Sequence, residues 1–233
     1  RDRRYTERLL NALQKELRLD RQPRHIECFD NSNLQGAHPV ASCVVFRDGK
    51  PARKEYRHFN IKTVEGPDDY ASMREVVFRR YSRLQEEGAE LPDLIIADGG
   101  KGQMGIIHEV LEYLGLDIPV AGLAKNDRHR TSELLCGYPP VLVGIRPTSP
   151  LFHFLAHIQE EVHRFAVSFH RQKRSKAFIH SELEQIEGIG DKTIRTLLQH
   201  FRSVAKVKAA PAEELSALVG PAKAKKIRAF FEK

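Results

Sequence analysis

Two aspartates stand at the ends of short apolar runs, where an acidic side chain is open to whatever binds there. Asp98 follows Leu94-Ile95-Ile96 and precedes Gly99-Gly100, while Asp30 follows the run of residues 25–29. Runs of this kind are typical of short strands that are buried on both faces. Two strands that each deliver one carboxylate to the same edge of a sheet would create an oxygen-rich site suited to Mg²⁺ or Mn²⁺.

Asp69 and His163 extend this constellation. Carboxylates that lie together repel one another, so a cluster of them normally holds a divalent cation. Two such ions about 3.5–4 Å apart activate a water and stabilise the leaving oxygen in phosphodiester hydrolysis. His163 suits the role of a neutral imidazole ligand or a proton carrier. The alternative histidine is His170, two turns further along the same predicted helix, and the alternative acid is Asp68.

Each of these residues also has a purely structural interpretation. Asp30 is typical of an Asx turn, Asp69 of a helix cap, Asp98 of a turn, and His163 of a helix surface. Taken one at a time, the structural interpretation is the stronger one. Two strand-end aspartates in a single βββαβ order nevertheless favour a shared site over four unrelated roles.

The elements that must position these residues follow from periodicity and turn signals. Asp48-Gly49 predicts a hairpin between the second and third of three antiparallel strands that begin at His25. A helix with Met73, Val76, Val77, Tyr81 and Leu84 facing inward then crosses over to the strand at Leu94, and such a crossover makes the two strands parallel. The predicted ranges are a covering helix at 5–19, strands at 40–46, 52–61 and 120–124, a helix at 103–114, a hairpin at 133–136 and 141–145, and a long helix from 149 to about 170.

The C-terminal region has a different pattern, with short helices punctuated by glycine. Residues 171–180 are basic and are predicted to be a linker, and helices are predicted at 192–201 and 222–231. Each of these helices follows a glycine-containing hairpin, so one helix-hairpin-helix unit is used twice, with residues 204–218 as the connector. The amides of such a hairpin point at a DNA phosphate without reading bases. A small helical dimerisation module is the alternative.

The residues predicted to contact a DNA backbone are Gly188, Gly190, Lys192, Arg195, Gly220, Lys223 and Lys225 in the hairpin units, and Lys101 and Lys125 near the acidic edge. Residues 171–233 hold 14 Lys and Arg against 7 Asp and Glu, whereas the first 170 residues hold 24 of each. This asymmetry indicates a polyanionic partner or, alternatively, a solubilising face. Lys101 and Lys125 are equally compatible with solvated loop cations.

Composition excludes several other classes of protein. No apolar run approaches the roughly 20 residues that a membrane helix needs. Three scattered cysteines, Cys28, Cys43 and Cys136, are too few and too irregular for a disulfide framework or a zinc site. We therefore expect a reduced, cytoplasmic protein. Because the sequence begins at Arg1 rather than Met, we also expect a piece of a longer chain.

Five strings in this order resemble the C-terminal half of the UvrC family of bacterial nucleotide excision repair nucleases. They are IECFDNSN around Asp30, GPDDYASM around Asp69, IIADGGKGQ around Asp98, GLAK ending at Lys125 and EEVHRFAVSFHR around His163. The resemblance implies an RNase H-like mixed sheet flanked by helices and a tandem helix-hairpin-helix domain. It also implies a Mg²⁺- or Mn²⁺-dependent incision 5′ to a lesion in double-stranded DNA, carried out with a UvrB-like damage-bound helicase.

Carried over to this chain, the resemblance assigns a triad of Asp30, Asp98 and His163 and makes Asp69 a further acid. The predicted domains are a linker and covering helix at 1–23, an endonuclease domain at 24–170, the basic linker at 171–180 and the hairpin domain at 181–233. Two other hypotheses remain open. One is a non-catalytic DNA-binding module that recruits repair proteins, and the other is a junction-resolving or RNA-cleaving nuclease of the same fold.

Overall fold

A computed structural model describes residues 2–30, 40–64, 68–125 and 131–232. The chain divides into two compact units, one up to Val167 and one from Ser168 onward. The elements are α1 (Asp2–Leu17), β1 (His25–Asp30), β2 (Val40–Arg47), β3 (Lys50–Pro51), β4 (Arg57–Asn60), α2 (Asp69–Glu86), β5 (Leu94–Ala97), α3 (Lys101–Leu114), β6 (Val120–Lys125), β7 (Thr131–Cys136), β8 (Val141–Val143), α4 (Pro150–Leu183), α5 (Asp191–Phe201), α6 (Val204–Ala209), α7 (Ala212–Val219) and α8 (Pro221–Phe231). Among the described helices, none combines the length and the apolar character that a membrane span needs.

The described strands form one mixed sheet in the order β3-β2-β1-β5-β6-β7-β8, with β4 also paired to β2. Strand β1 runs antiparallel to β2 and parallel to β5, and β5 runs parallel to β6. The predicted crossover through α2 is therefore confirmed, and it brings the strand that leads to Asp98 beside the strand that ends at Asp30. Parallel strands whose ends share one edge result directly from a crossover connection.

Helices cover both faces of the sheet, which explains why every residue of β1 and β5 is buried. On one face, Phe29 of β1 packs edge-to-face against Tyr81 of α2, with ring centroids 5.9 Å apart. On the other face, Phe46 of β2 packs against Phe154 of α4 at 6.0 Å. The inward residues predicted for α2 are buried, apart from Leu84, which is partly buried against the same core.

The hairpin between β2 and β3 turns through Asp48 and Gly49, whose φ angles of 51° and 77° fit a two-residue turn of type I′. Of the strand predicted at 52–61, only Arg57–Asn60 is a strand, because a 3₁₀ turn occupies Arg53–Glu55, and β3 lies just before the predicted range. Two hydrogen bonds from the Arg47 guanidinium to the Glu55 carboxylate, at 2.6 and 2.9 Å, hold this turn against β2.

Helix α4 is longer than predicted. It ends at Leu183 instead of near His170, so residues 171–180 are helical where the sequence suggested a linker. Arg, Gln, Lys and Ala are all good helix formers, and this stretch contains neither Gly nor Pro to interrupt the helix. A run of positive charge therefore does not mark a break between helices here, and the boundary between the two units falls within α4.

The second unit has a small core of its own, to which Ile186, Leu197, Leu215 and Ile227 contribute. The predicted helices at 192–201 and 222–231 correspond to α5 and α8 within one residue. The connector predicted at 204–218 consists of two helices, because Ser203 caps α6 and Pro211 starts α7. Helix α7 then precedes the second hairpin as the end of α4 precedes the first.

Candidate active site

Asp30 and Asp98 occupy equivalent positions on neighbouring parallel strands. Phe29 and Ala97 are paired in register, and each aspartate is the next residue along its strand. The Asp98 amide donates to the Phe29 carbonyl at 3.0 Å, which fixes the two strand ends side by side. Both side chains are largely buried, Asp30 as a residue to 6% exposure and the Asp98 carboxylate to 3%. We call this pair the acidic edge.

The negative charge of the acidic edge affects the pKa of the Cys28 thiol. Burial raises the pKa of Cys28 well above its usual value, and the Asp98 and Asp30 carboxylates raise it further. A thiol in this position is therefore protonated and serves the core. Cys28 and Asp30 alternate along β1 with Glu27 and Phe29, which face α2, so Cys28 and Asp30 lie on the face of the sheet that α4 covers.

Two further residues hold the Asp98 carboxylate. The Gln159 side-chain amide donates from α4 to Asp98 Oδ1 at 2.6 Å, and Lys125 Nζ lies 3.8 Å from Asp98 Oδ2. Gln159 was not predicted from the sequence, although it precedes His163 by one helical turn and so lies on the same face of α4. Lys125 was predicted to contact DNA, and the structure also makes it a neighbour of the candidate metal ligand.

His163 is exposed and follows Gln159 on the face of α4 that reaches Asp98. This position leaves its imidazole accessible to solvent. His170 belongs to α4 as well, but its side chain lies outside the described part of the structure. The spacing to Gln159 therefore favours His163 as the histidine of the site.

The two acids at the start of α2 have different roles. Asp68 caps the helix, since its carboxylate accepts from the Ala71 amide at 3.0 Å. Asp69 is the exposed first residue of the helix. The next residue, Tyr70, packs so closely over Gly102 that a Cβ there would collide with its ring. The start of α2 therefore lies beside the start of α3, four residues beyond Asp98.

The donor set at the acidic edge fits a hard divalent cation. Asp30 and Asp98 provide carboxylate oxygens from adjacent strands, His163 can add an imidazole, and soft ligands are not needed. A different group, His180, Glu184 and Asp191, brings its ligand atoms within 4.8 Å of one another among the described residues. That group belongs to the second unit and is largely exposed, and the His180–Glu184 ion pair of 3.0 Å accounts for much of it.

The hairpins of the second unit have the expected backbone. Gly188 and Gly220 have φ angles of 86° and 90°, a region that residues with a Cβ rarely adopt. Gly190 and Gly220 are the N-caps of α5 and α8, so the first turn of each helix has backbone amides without a partner inside the helix, although Pro221 contributes none to α8. Lys223 donates to Thr193 Oγ1 at 2.9 Å, which links α8 to α5. The predicted DNA-contacting lysines and Arg195 are all exposed, and they are Lys101, Lys125, Lys192, Lys223 and Lys225.

A mixed sheet with two carboxylates at one edge, followed by paired helix-hairpin-helix units, defines an RNase H-like endonuclease domain joined to a DNA-binding tandem. Residues 14–167 match the UvrC RNase H endonuclease domain, and residues 181–233 match the SAM-like helix-hairpin-helix tandem. The chain belongs to the family of the UvrC RNase H endonuclease domain. The RNase H-like fold expected from the sequence is thereby confirmed.

Curated relatives agree with this assignment. A protein named UvrABC system protein C from Bacteroides fragilis is 59% identical over 95% of this chain and 36% of its own length. A protein of the same name from Flavobacterium johnsoniae is 51% identical over 98% of this chain and 38% of its own length. The chain thus spans little more than a third of these relatives. The catalytic domain of human Endonuclease V is similar to 60% of this chain and 80% of its own, at 13% identity and a TM-score of 0.31.

Proposed function

We propose that this chain is the nuclease portion of a bacterial nucleotide excision repair protein and hydrolyses a DNA phosphodiester 5′ to a lesion. The observation that supports this most strongly is the register that places Asp30 and Asp98 side by side at one edge of the sheet. That edge lies in the part of the chain that matches an endonuclease domain. The reducing, cytosolic location predicted from the cysteines remains part of this proposal.

Asp30 and Asp98 would hold Mg²⁺ or Mn²⁺, with His163 as a further ligand or as the proton carrier. When bound, such a cation supplies an activated water and stabilises charge on the leaving oxygen. Gln159 fixes the rotation of the Asp98 carboxylate through Oδ1 and leaves Oδ2 on the side of Lys125. His163 is exposed, so it can exchange a proton with solvent between turnovers. Asp69, at the start of α2, is proposed as an additional acid near the path of the DNA.

The second unit would bind the duplex through its sugar-phosphate backbone. Backbone amides at the starts of α5 and α8 suit phosphate oxygens, and Lys192, Arg195 and Lys225 add positive charge. Contacts of this kind position DNA without reading its sequence, as a repair nuclease requires. A UvrB-like helicase bound at the damage is the proposed partner that selects the site of incision.

The test is a nicking assay on supercoiled plasmid with Mn²⁺, Mg²⁺ or EDTA. We expect metal-dependent nicking by the chain itself, loss of at least about 100-fold of it in Asp98→Asn, and unchanged DNA binding in that variant. The control is Asp117→Asn, which alters an exposed acid between α3 and β6. Nicking that survives in Asp98→Asn, or that is insensitive to EDTA, would refute the proposed site.

A chain that nicks only with its partner calls for the same comparison in a reconstituted incision reaction. A lesion-containing duplex with the helicase present would then show whether incision falls 5′ to the lesion. Incision on the 3′ side would contradict the proposal even if the metal dependence were as expected.

A further inference from the structure

A cavity of about 310 Å³ in the first unit is lined by four arginines, Arg57, Arg79, Arg80 and Arg83. Glu55 and Glu87 are the acids in its wall, so the lining carries a formal excess of two positive charges. Its volume lies at the lower end of the range typical of small-ligand sites. Guanidinium groups gathered in one concave space repel one another unless an anion lies among them.

Both acids of the wall already have an arginine partner. Glu55 accepts two hydrogen bonds from Arg47, which lies outside the lining, and Glu87 pairs with Arg83 at 2.9 Å on the exposed surface of α2. Exposed pairs of this kind within one helix contribute little. Arg79 and Arg80 pair at 3.1 and 2.7 Å with Glu75 and Glu27, which lie outside the lining. Among the described residues, Arg57 is therefore the lining arginine that has no carboxylate partner.

Arg57 is held in place without any charge compensation. Its Nη1 donates to the backbone carbonyls of Lys54 and Tyr56 at 3.0 and 2.8 Å. Within the described part of the chain, no carboxylate pairs with it. Carbonyl oxygens fix the orientation of the guanidinium but leave its charge and its remaining N–H groups available.

Glu27, which lies outside the lining, orients the Arg80 guanidinium. Its Nε and Nη2 atoms each donate to the buried Glu27 carboxylate at 2.7 Å, and its side chain is only 11% exposed. An arginine has five N–H donors, so this contact leaves three uncommitted. Because Arg80 also lines the cavity, a guanidinium oriented by two hydrogen bonds forms part of its wall. Arg79 is likewise oriented, with its guanidinium carbon 5.7 Å from the centre of the Phe59 ring.

The cavity is separate from the acidic edge. Arg57 and Phe59 alternate along β4 with His58, whose ring stacks on Phe165 of α4 at 3.7 Å. Alternate residues of a strand point to opposite faces of a sheet, so the cavity lies on the α2 face and Asp98, held by Gln159 of α4, faces the other side. A ligand in the cavity would thus be a second ligand and not the scissile phosphate.

We propose that this cavity binds a phosphoryl group. Planar guanidinium forks match the oxygens of a phosphate, and several of them can donate to one tetrahedral anion at once. Two sources share this chemistry: a phosphodiester of the DNA backbone and a free phosphate compound. The proposal does not depend on nuclease activity at the acidic edge.

The test combines Arg57→Gln with Arg83→Gln, since both side chains are exposed and neither contacts the buried Glu27. Arg74→Gln, on the same helix but outside the cavity, is the matched control. Inorganic phosphate and pyrophosphate are titrated by calorimetry, with chloride at matched ionic strength as the reference. We expect saturable binding of pyrophosphate that the double variant weakens about tenfold or more and the control leaves unchanged.

Binding to duplex DNA, measured over a range of salt concentrations, distinguishes the two sources of the phosphoryl group. For a backbone phosphodiester, the double variant lowers the slope of log affinity against log salt by about 1 to 2 relative to the control. For a free phosphate compound, that slope is unchanged although pyrophosphate binding is lost. Either result supports the proposal that the cavity binds a phosphoryl group.

The proposal of a phosphoryl site would be overturned if pyrophosphate showed no saturable binding, or if the double variant and the control bound it equally. Asp98→Asn should bind pyrophosphate normally, which separates failure of this proposal from failure of the nuclease assignment.

Discussion

Strand β1 carries two carboxylates three residues apart, and the structure gives them opposite surroundings. Glu27 is buried on the α2 face, where it accepts two hydrogen bonds from Arg80 and one from Tyr81, all at 2.7 Å. Asp30 ends the strand on the α4 face, beside Asp98. Glu27 has its charge fully matched by the protein, whereas the acidic edge concentrates negative charge.

The pKa of Glu27 expresses this difference. Burial alone would raise it, but the hydrogen bonds from Arg80, His25 and Tyr81 lower it to about 2. A carboxylate stabilised so strongly as an anion contributes to folding and has no reason to bind a cation. A buried acid is therefore not a catalytic acid by virtue of its burial alone. Whether it is structural or can bind a cation depends on the charge of its nearest partner.

The largest expected effect is on stability, from Glu27→Gln. Removing one member of a buried ion pair leaves Arg80 uncompensated, so we expect a loss of about 3–5 kcal/mol in the free energy of unfolding. Asp30→Asn should cost less than about 1 kcal/mol, because it relieves repulsion at the acidic edge. Urea unfolding measures the loss in the free energy of unfolding for both variants. Equal losses would show that Asp30 stabilises the folded chain as much as Glu27 does. Should Glu27→Gln fail to fold, Tyr81→Phe, which removes one hydrogen bond, is expected to cost about 1–2 kcal/mol.

Lowering the pH should reduce the free energy of unfolding through Glu27, as Glu27→Gln does. Its pKa is depressed in the folded state, so its contribution is present above the ordinary value of 4.5 and is lost as the pH falls toward about 2. At 1.36 kcal/mol for each pKa unit, the loss is of the order of 3 kcal/mol. Urea unfolding between pH 6 and the acid limit should show the wild type converging on Glu27→Gln, and curves that stay parallel would contradict this.

A smaller effect is expected at the residue that orients the acidic edge. Gln159→Ala frees the Asp98 carboxylate, and we expect the Mn²⁺ concentration for half-maximal nicking to rise about 10- to 100-fold. The rate at saturating Mn²⁺ should recover most of its wild-type value, which distinguishes a positioning residue from a catalytic one. Gln14→Ala, a change to a half-buried glutamine in α1, should leave the metal requirement unaltered.

The smallest expected effect belongs to Lys125→Gln. This side chain is 40% exposed and lies 3.8 Å from Asp98, so its pairing is weakened by solvent. If it contacts one DNA phosphate, as the sequence predicts, the slope of log affinity against log salt falls by about 1, with affinity reduced only a few-fold. Anisotropy titrations at several salt concentrations measure this, and an unchanged slope would limit Lys125 to its role beside Asp98.

Much of the fold could be predicted because its signals are local. The type I′ hairpin at Asp48-Gly49, the inward face of α2 and the paired hairpin units each depend on residues within a short window. The errors have local causes too. A positively charged run was interpreted as a linker although its residues favour a helix, and a single strand was predicted where Arg47 holds a 3₁₀ turn through Glu55.

The sequence by itself determined which acids stand at strand ends, and the crossover rule predicted that their two strands are parallel. The strand pairing in the structure then places Asp30 beside Asp98. Only the tertiary structure decided what surrounds each carboxylate. Gln159 reaches Asp98 across 61 residues of sequence, and Arg80 reaches Glu27 across 53. Periodicity and turn chemistry fix how each segment folds, but side chains that meet from distant segments do so only once helices pack on the sheet. Those packed partners are what make one acid of β1 structural and leave the other at the candidate metal site.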